Sequence, residues 1–266
     1  MTSTLFDLAI QYQLDERGVA TITLNRPDIH NAFDDTVIAA LTNAFTHAAN
    51  DPAVRVVVLA ASGKSFCAGG DLNWMRRMAG YNYDENLQDS NALADMLRTL
   101  NFLPKPTIAR VQGAAYGGGV GLVACCDIAV ASSNSAFCLS EVKVGLIPAT
   151  IGPYVVQAIG QRAARRYFTT AELISANTAH VLGLVSELVE PKELEAHVAN
   201  IVTNLLRNGP NAIAEAKRLV LDIAGREIDA AMIADTSERI AQTRGSDEGR
   251  EGLSAFLEKR KPNWIQ

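Results

Sequence analysis

The sequence predicts an α/β fold in which a mainly parallel sheet is followed by a helical C-terminal region. Three observations support this: β-branched runs of strand length, helical segments between them, and helices alone from about residue 191. Strands that alternate with helices favour a parallel sheet, because each helix returns the chain to the end of the sheet where it started. We therefore expect a core at residues 1–190 and a helical region at residues 191–266.

The strand-length runs are apolar and rich in β-branched residues, which is typical of buried strands. They are VATITL (19–24), VRVVVLA (54–60), TIARVQG (107–113) and DIAVAS (127–132). Helical periodicity with a charged face appears between them, in TVIAALTNAFTHAAND (36–51) and ENLQDSNALADMLRTLNFL (85–103). Three amphipathic segments follow the core and end before the tail SDEGREGLSAFLEKRKPNW: KELEAHVANIVTNLLRNG (192–209), NAIAEAKRLVLDIAG (211–225) and AAMIADTSERIAQTR (230–244).

The composition is that of a globular protein that acts without nucleic acid or a membrane. Of 266 residues, 48% are hydrophobic and 20% charged, and the net charge is −5 with no dense run of Lys or Arg. The four cysteines form no C-x-x-C pair and the four histidines lack ligand spacing, so we expect free thiols, a reducing compartment and no metal site. The chain begins without a signal-peptide pattern, and the uncharged residues 113–126 are too short to span a bilayer, which predicts a cytoplasmic protein.

Two glycine clusters stand out because each comes just after a predicted strand. They are SGKSFCAGGDL (62–72) and GAAYGGGVGLVACCD (113–127). If a helix begins near Gly118, its first amides and its dipole favour an anion. A second amide, from Gly70, would complete a two-donor pocket for a carbonyl oxygen that becomes negative. The alternative is a pair of ordinary strand-to-helix turns.

A dinucleotide site is a further alternative for the second cluster. Residues 119–124 match G-x-G-x-x-A, and Glu141 lies twenty residues past Gly121. The matching glycines start eight residues after Val111, however, whereas the fingerprint opens directly from the end of a strand. We therefore interpret the match as coincidence.

Glu141 is the candidate acid–base of the sequence. It stands among apolar residues before LIPA and a Gly-Pro pair that predicts a turn. A carboxyl group in apolar surroundings has a raised pKa and exchanges protons nearer neutrality. The alternative is a surface glutamate paired with Lys143 or Arg165. Asp127, at the end of its helix, is expected to cap the following turn.

Five segments, in order, resemble the crotonase (enoyl-CoA hydratase/isomerase) superfamily over nearly the whole chain. They are LNRPDIHNAF (24–33), FCAGGDL (66–72), VQGAAYGGGVGLVACCDIAVAS (111–132), SEVKVGLIP (140–148) and LSAFLEKRKPNW (253–264). The resemblance implies a spiral of β-β-α turns and a helical C-terminal trimerisation region. It also implies an acyl-CoA substrate, a homotrimer or a dimer of trimers, and no metal or redox cofactor.

The resemblance assigns roles to residues at the matching positions. The amides of Gly70 and Gly118 would hold the thioester oxygen, and Glu141 would be the acid–base. Coenzyme A would contact Arg26, the segment 68–72 and Lys259, the last from a neighbouring subunit. The segment consists of Ala68, Gly69, Gly70, Asp71 and Leu72.

One position departs from the family pattern. Two-glutamate hydratases carry their second glutamate two residues after the glycine triplet, where this chain has Gly121. Among family members with a single glutamate are Δ3,Δ2-enoyl-CoA isomerases, in which one carboxylate moves one proton. Plain two-carboxylate hydration is therefore not expected here.

The stretch SEVKVGLIPATIGPYVVQAIGQRAARRYF (140–168) most resembles methylglutaconyl-CoA hydratase, of leucine breakdown, and isohexenylglutaconyl-CoA hydratase, of acyclic-terpene breakdown. We expect a hydratase, a carbon–oxygen lyase, of branched glutaconyl-type CoA thioesters. The alternatives are the isomerase and a non-catalytic acyl-CoA-binding scaffold. The acyl pocket candidates are Trp74, Met75, Met78, Tyr81 and Tyr83, and the candidates for binding a free carboxylate are Arg76, Arg77 and Arg110.

Overall fold

The computed structural model describes residues 9–265 and contains a six-stranded sheet. Its strands are β1 (Ile10–Leu14), β2 (Val19–Leu24), β3 (Val56–Ala61), β4 (Thr107–Val111), β6 (Ile128–Ser132) and β9 (Glu187–Val189). They lie side by side in this order, and β1 pairs antiparallel with β2 while the other neighbours are parallel. The predicted parallel sheet is confirmed, and the four predicted strands form its centre.

Helices cover both faces of this sheet, as its buried strands require. Helices α1 (Asp35–Asn50) and α3 (Tyr83–Asn101) follow β2 and β3 and bury one face in the larger core. The other face packs on helix α7 (Leu194–Leu206) through Val58, Ile108 and Val130. Asp34 caps α1 and Asn82 caps α3, each by accepting a hydrogen bond from the first turn of its helix.

A second, smaller sheet was not predicted. Its strands are β5 (Ala114–Tyr116), β7 (Ala136–Cys138) and β8 (Ile174–Ser175), in the order β5-β7-β8. β5 and β7 are parallel, and β8 is antiparallel to β7. Strands of two or three residues are too short to give an alternating pattern, so they are visible only in their pairing.

The remaining helices of the core are α2 (Leu72–Met78), α4 (Gly118–Cys125), α5 (Gly152–Thr170) and α6 (Ala176–Leu182). The start of α4 at Gly118 is as predicted, and residues 119–124 lie inside the helix, unlike a dinucleotide fingerprint. The turn predicted at Gly152-Pro153 is wrong, because α5 begins there. Proline fits the first turn of a helix, where its missing N–H has no partner to lose.

The C-terminal helices are α7, α8 (Pro210–Ile223), α9 (Ala230–Gly245) and α10 (Asp247–Leu257). The last one lies in the tail where the helices were expected to have ended. Ser246 starts it by accepting from the Gly249 amide at 3.0 Å. With these helices, the expected α/β fold with a helical C-terminal region is confirmed, whereas the division at residue 190 stays a prediction.

Asp127 has a different role from the predicted cap. Its Oδ2 accepts from the amide and the hydroxyl of Thr107, at 2.8 and 2.9 Å, and from Lys217 Nζ at 2.8 Å. It therefore joins the start of β4 to α8, which the local sequence could not indicate. Among residues 9–265, no helix has both the length and the apolar character needed to cross a bilayer.

Candidate active site

The small sheet brings the two predicted catalytic segments together. Tyr116 and Cys138 pair at the carboxyl ends of β5 and β7, and the Gly117 amide donates to the Cys138 carbonyl at 2.8 Å. Gly118 opens α4 just after β5, and Glu141 opens a 3-10 turn just after β7. The predicted amide donor therefore lies beside the predicted acid–base, although they are 23 residues apart (141 − 118) in the chain.

The other glycine cluster runs alongside β5. The Tyr116 amide donates to the Cys67 carbonyl at 2.8 Å, and this pairing places residues 67–70 next to the start of α4. Gly69 has a φ of 89°, and a Cβ there would lie 3.1 Å from the Tyr116 carbonyl oxygen. A glycine is needed at this position because the two backbones meet there and because its φ is unfavourable for other residues.

Phe33 connects the two glycine clusters. Its amide donates to the Gly69 carbonyl and its carbonyl accepts from the Asp71 amide, both at 2.9 Å, in a parallel bridge opposite Gly70. The Gly70 amide therefore points away from Phe33. The buried Phe33 ring lies against Gly118, where a Cβ would be 2.9 Å from Cε1 and nearer still to Cζ. One aromatic residue thus positions both predicted donors.

Both predicted donors have unused amides. Within the described part of the chain, the amides of Gly70 and Gly118 donate to no acceptor. Gly118 is the first residue of α4, whose leading amides have no partner in the helix and whose dipole favours negative charge. These amides are therefore available to a ligand oxygen, as the oxyanion role requires.

The Glu141 carboxylate lies beside Gly117, the residue before Gly118, in a half-buried side chain. A Cβ on Gly117 would lie 3.3 Å from Glu141 Oε1, and Oε2 is buried without a hydrogen-bond partner among residues 9–265. Burial raises the pKa of the Glu141 carboxyl above its ordinary range, and a hydrogen bond to its own amide lowers it by less. No ion pair joins Glu141 to Lys143 or Arg165 in the described residues, so the surface-glutamate alternative does not fit.

An isoleucine fills the space at the position of the missing glutamate. Gly121 lies one helical turn after Gly117, and a Cβ on it would be 2.9 Å from Ile151 Cβ and nearer still to Cγ2. The same Cβ would lie 3.4 Å from Leu97 Cδ2. Ile151, which precedes α5, is 1% exposed. No side chain larger than hydrogen fits at position 121 without movement of Ile151.

Arg26, a predicted CoA contact, already has two anionic partners. Its Nη1 lies 2.9 Å from Asp34 Oδ2 and its Nη2 lies 3.3 Å from Asp71 Oδ2. Asp71 in turn caps α2, because its Oδ1 accepts from two amides of the first turn. Arg26 therefore holds the residue next to Gly70, in addition to any contact it makes with a phosphate.

The other predicted CoA contacts lie at the surface or in the backbone pairing. Leu72 is 69% exposed, and Ala68 donates its amide to the His30 carbonyl at 3.0 Å. Lys259 is exposed after α10, and no described contact joins it to residues 68–72 of its own chain. A contact from a neighbouring subunit stays a prediction.

The candidates for the acyl pocket are divided between core and surface. Trp74 is buried, and its Nε1 donates to Asp89 Oδ1 at 3.0 Å, while Met78 packs on the main core. Met75 and Tyr81 are half-buried, but Tyr83 is exposed. Trp74 and Met78 thus have a structural role whether or not they also contact an acyl group.

The three candidate cations each have another partner. Arg76 donates to Asn73 Oδ1 at 2.6 Å, and Arg77 pairs with Asp35. Arg110 is paired in register with Val130, so it lies on the sheet face that packs on α7. Its Nη1 is 3.8 Å from Glu195 Oε1. Arg110 therefore faces away from α4, so it is the weakest of the three candidates.

Sequence reasoning missed Phe33 and Ile151. Phe33 ends the segment LNRPDIHNAF, but only the fold shows that its ring meets Gly118. For Ile151 the available signal was the missing side chain at Gly121, since a close-packed interior fills the volume that a lost side chain leaves. Which residue fills it depends on the path of the chain after Glu141.

Comparisons with known proteins agree with this geometry. Residues 15–266 match the family described as Enoyl-CoA hydratase/isomerase. The chain is 33% identical to the crotonyl-CoA hydratase of Syntrophomonas wolfei, covering 94% of this chain and 95% of that protein. An enoyl-CoA hydratase crystal structure from Shewanella pealeana has a TM-score of 0.93 at 45% identity, covering 96% of each chain. One from Mycobacterium smegmatis has a TM-score of 0.92 at 39% identity, covering 98% and 100%. These matches confirm the crotonase-type fold.

Proposed function

This chain belongs to the enoyl-CoA hydratase/isomerase family, and from that membership we propose that it hydrates the C2–C3 double bond of a branched, glutaconyl-type enoyl-CoA. The observation on which the proposal rests is the Glu141 carboxylate, whose Oε2 is buried without a hydrogen-bond partner among the described residues and which lies beside Gly117, the residue before the unused Gly118 amide. The acyl group is inferred from residues 140–168, which resemble methylglutaconyl-CoA and isohexenylglutaconyl-CoA hydratases. Coenzyme A belongs to the substrate, and the proposed reaction needs no other cofactor.

The two glycine amides would stabilise the charge that develops during the reaction. When water adds to C3, the electron pair of the double bond moves toward the thioester oxygen, which becomes an enolate oxygen. The amides of Gly70 and Gly118 would donate to that oxygen. Each donor of this kind contributes about 3 kcal/mol to transition-state stabilisation.

Glu141 would deliver the proton that completes the addition. A buried carboxyl with a raised pKa keeps its proton at higher pH and gives it to a carbon that becomes basic, here C2 of the enolate. The proximity of Glu141 to Gly117 supports this assignment, because C2 is bonded to the thioester carbon whose oxygen the neighbouring amide would hold.

A Δ3,Δ2-enoyl-CoA isomerase is the second candidate. The observation that favours it is the absence of a carboxylate at position 121, since moving a double bond needs one shuttled proton and no activated water. The two reactions are separated by incubating the protein with a 2-enoyl-CoA and with a 3-enoyl-CoA. Consumption of the 3-enoyl-CoA without formation of a 3-hydroxyacyl-CoA would favour the isomerase.

We further propose that the working form is a homotrimer or a dimer of trimers. Its support is the resemblance, together with apolar side chains that one chain leaves exposed on α10, where Phe256 is 80% and Leu257 is 77% exposed. In that assembly Lys259 of a neighbouring copy would contact the phosphates of coenzyme A.

Replacing the proposed acid–base tests the reaction directly. Glu141→Gln keeps the size of the side chain but cannot exchange the proton, so kcat for hydration should fall by about 10²–10⁴-fold. Binding of the CoA ester, measured by calorimetry, should change little. Glu195→Gln is the matched control, because the Glu195 side chain is 88% exposed on α7. If Glu141→Gln kept more than about a tenth of the wild-type kcat, well short of the usual loss, Glu141 would not be the acid–base.

The pH dependence gives an independent test of the same residue. Hydration requires Glu141 to be protonated, so kcat should fall as pH rises through its pKa, which burial raises. Dehydration of the 3-hydroxyacyl-CoA requires the carboxylate, so its kcat should rise across the same pH range. Initial rates measured against pH in both directions give the pH at which each kcat changes. A change at the pKa of an exposed glutamate, or changes at different pH values in the two directions, would contradict the assignment.

A further inference from the structure

We propose that the free carboxylate of the glutaconyl-type acyl group is itself the base that activates water, because Ile151 occupies the place of a second protein carboxylate. This inference rests on the proposed hydratase function and assigns the one step that function leaves without a residue. The enzyme would then select carboxylated enoyl-CoA substrates by their rate of reaction as well as by their affinity. An enoyl-CoA without the carboxylate would lack a group needed for the reaction.

The packing at Gly121 is the first step of the argument. The Gly121 amide donates to the Gly117 carbonyl at 3.3 Å, which places position 121 one turn along α4 from the glycine beside Glu141. Ile151 and Leu97 are both buried and already fill that space. The position is therefore closed to a carboxylate and is lined by apolar atoms.

The carboxylates in the two glycine clusters and on the helices beside them are engaged elsewhere. Asp71 and Asp34 are paired with Arg26 and cap helices, and Asp127 accepts from Thr107 and Lys217. Asp89 accepts from the Trp74 indole. Glu141, as the proton donor to C2, is protonated when water attacks and so cannot accept the proton of that water. None of these carboxylates is therefore available as the base that activates water.

The acyl group supplies a base at the correct distance from the reacting carbon. In a glutaconyl-type thioester the carboxylate is attached to C3 through a single methylene group, so it reaches a water molecule that is bonding to C3. A catalytic group held within the same molecule as the reacting atom acts at a very high effective concentration. The carboxylate of the acyl group thus acts as the general base for water, in place of a protein carboxylate at position 121.

The proposed reaction is balanced in atoms and charge. The water oxygen bonds to C3, one water proton passes to the acyl carboxylate, and the C2–C3 electron pair forms the enolate on the thioester oxygen. C2 then takes the Glu141 proton as the thioester carbonyl re-forms. The acyl carboxyl loses its proton to solvent and Glu141 regains one, so the net change is addition of one water molecule.

Masking the substrate carboxylate tests the proposal on the wild-type enzyme. We would compare methylglutaconyl-CoA with its neutral C5 methyl ester and C5 carboxamide, and measure kcat and KM separately. Loss of a general base should lower kcat by at least about 10²-fold. If the carboxylate served only for binding, KM would rise while kcat stayed the same, and the inference would be wrong.

The outcomes separate this inference from the function on which it rests. If the wild-type enzyme hydrates the acid and both neutral analogues with similar kcat, it is a hydratase but the substrate carboxylate is not the base. If it hydrates none of them, the proposed function itself is wrong. Only hydration of the acid with a large loss of kcat for both analogues supports the inference.

A matched set of variants tests the role of Ile151. Gly121→Glu combined with Ile151→Gly makes room for a second carboxylate, and we expect it to raise kcat on the methyl ester at least tenfold above Ile151→Gly alone. Gly121→Glu alone should have a lower melting temperature, because its side chain overlaps Ile151. Circular dichroism and melting curves show which variants are folded. A folded double variant without that gain would overturn the role of Ile151, and if the double variant does not fold, the analogue comparison decides.

Discussion

The two predicted oxyanion donors are held in place by different kinds of interaction. Gly70 lies next to Asp71, whose carboxylate caps α2 and pairs with Arg26. Gly118, the first residue of α4, packs against the ring of Phe33. The same backbone group is thus positioned by hydrogen bonds and charges in one region and by close packing in the other.

This difference predicts how each region responds to substitution. A Cβ on Gly70 would meet the Trp74 ring at 3.4 Å, close to an ordinary van der Waals contact. A Cβ on Gly118 would overlap Phe33, which is fully buried. A packed region cannot absorb even one methyl group, whereas the polar region has room for one.

The largest effect is expected from Gly118→Ala. The new methyl group has to displace Phe33, which also pairs with the backbone around Gly70, so both donors should move. We expect kcat to fall by about 10³-fold, as for loss of an oxyanion donor, and the free energy of unfolding to fall by about 1–3 kcal/mol.

Gly70→Ala is the matched comparison for that variant, because it keeps the amide and adds the same methyl group. Its kcat should fall by less than about tenfold, that is by less than about 1.4 kcal/mol in barrier height. Urea unfolding and steady-state kinetics of both variants give the comparison. Equal losses in the two variants would show that the regions do not differ as described.

Gly70→Pro should have the next largest effect, on catalysis alone. Proline has no N–H, so the variant removes one donor outright. We expect kcat to fall by about 10²–10³-fold, with little change in melting temperature because the Gly70 amide donates to no described acceptor. A folded variant with near-normal turnover would mean that the Gly70 amide does not contact the thioester oxygen.

The smallest effect is expected from Arg26→Gln, which removes the charge that pairs with Asp71. The Arg26 side chain is 25% exposed, and ion pairs near the surface contribute about 0–1 kcal/mol. A positioning role predicts a several-fold lower kcat (about the size that 1 kcal/mol allows) and an unchanged KM. Lys259→Ala is the comparison, since a contact to CoA phosphates predicts a raised KM at low salt and little change in kcat. A raised KM for Arg26→Gln would place Arg26 on the phosphates instead.

Much of the fold was predictable because its signals are local. The four central strands are long apolar runs, and the start of α4 is marked by glycines after a strand. The small sheet and the start of α5 were not predicted, because their local signals are weak or ambiguous. β5 and β7 are too short to show a period, and the Gly-Pro pair at residues 152–153 is compatible with both a turn and a helix start.

The sequence by itself determined which chemical groups this protein has: a glutamate at position 141, glycines that expose backbone amides, and no carboxylate at position 121. The tertiary structure alone decided what surrounds them. Phe33 and Ile151 are far from Gly118 and Gly121 in the chain. The backbone bridges that join residue 33 to 70 and residue 67 to 115 bring Phe33 to Gly118, and the parallel pairing of β5 and β7 brings the segment that leads to Ile151 beside α4. Residue identity is a property of one position, whereas burial, pKa and free volume depend on residues that the fold brings from elsewhere.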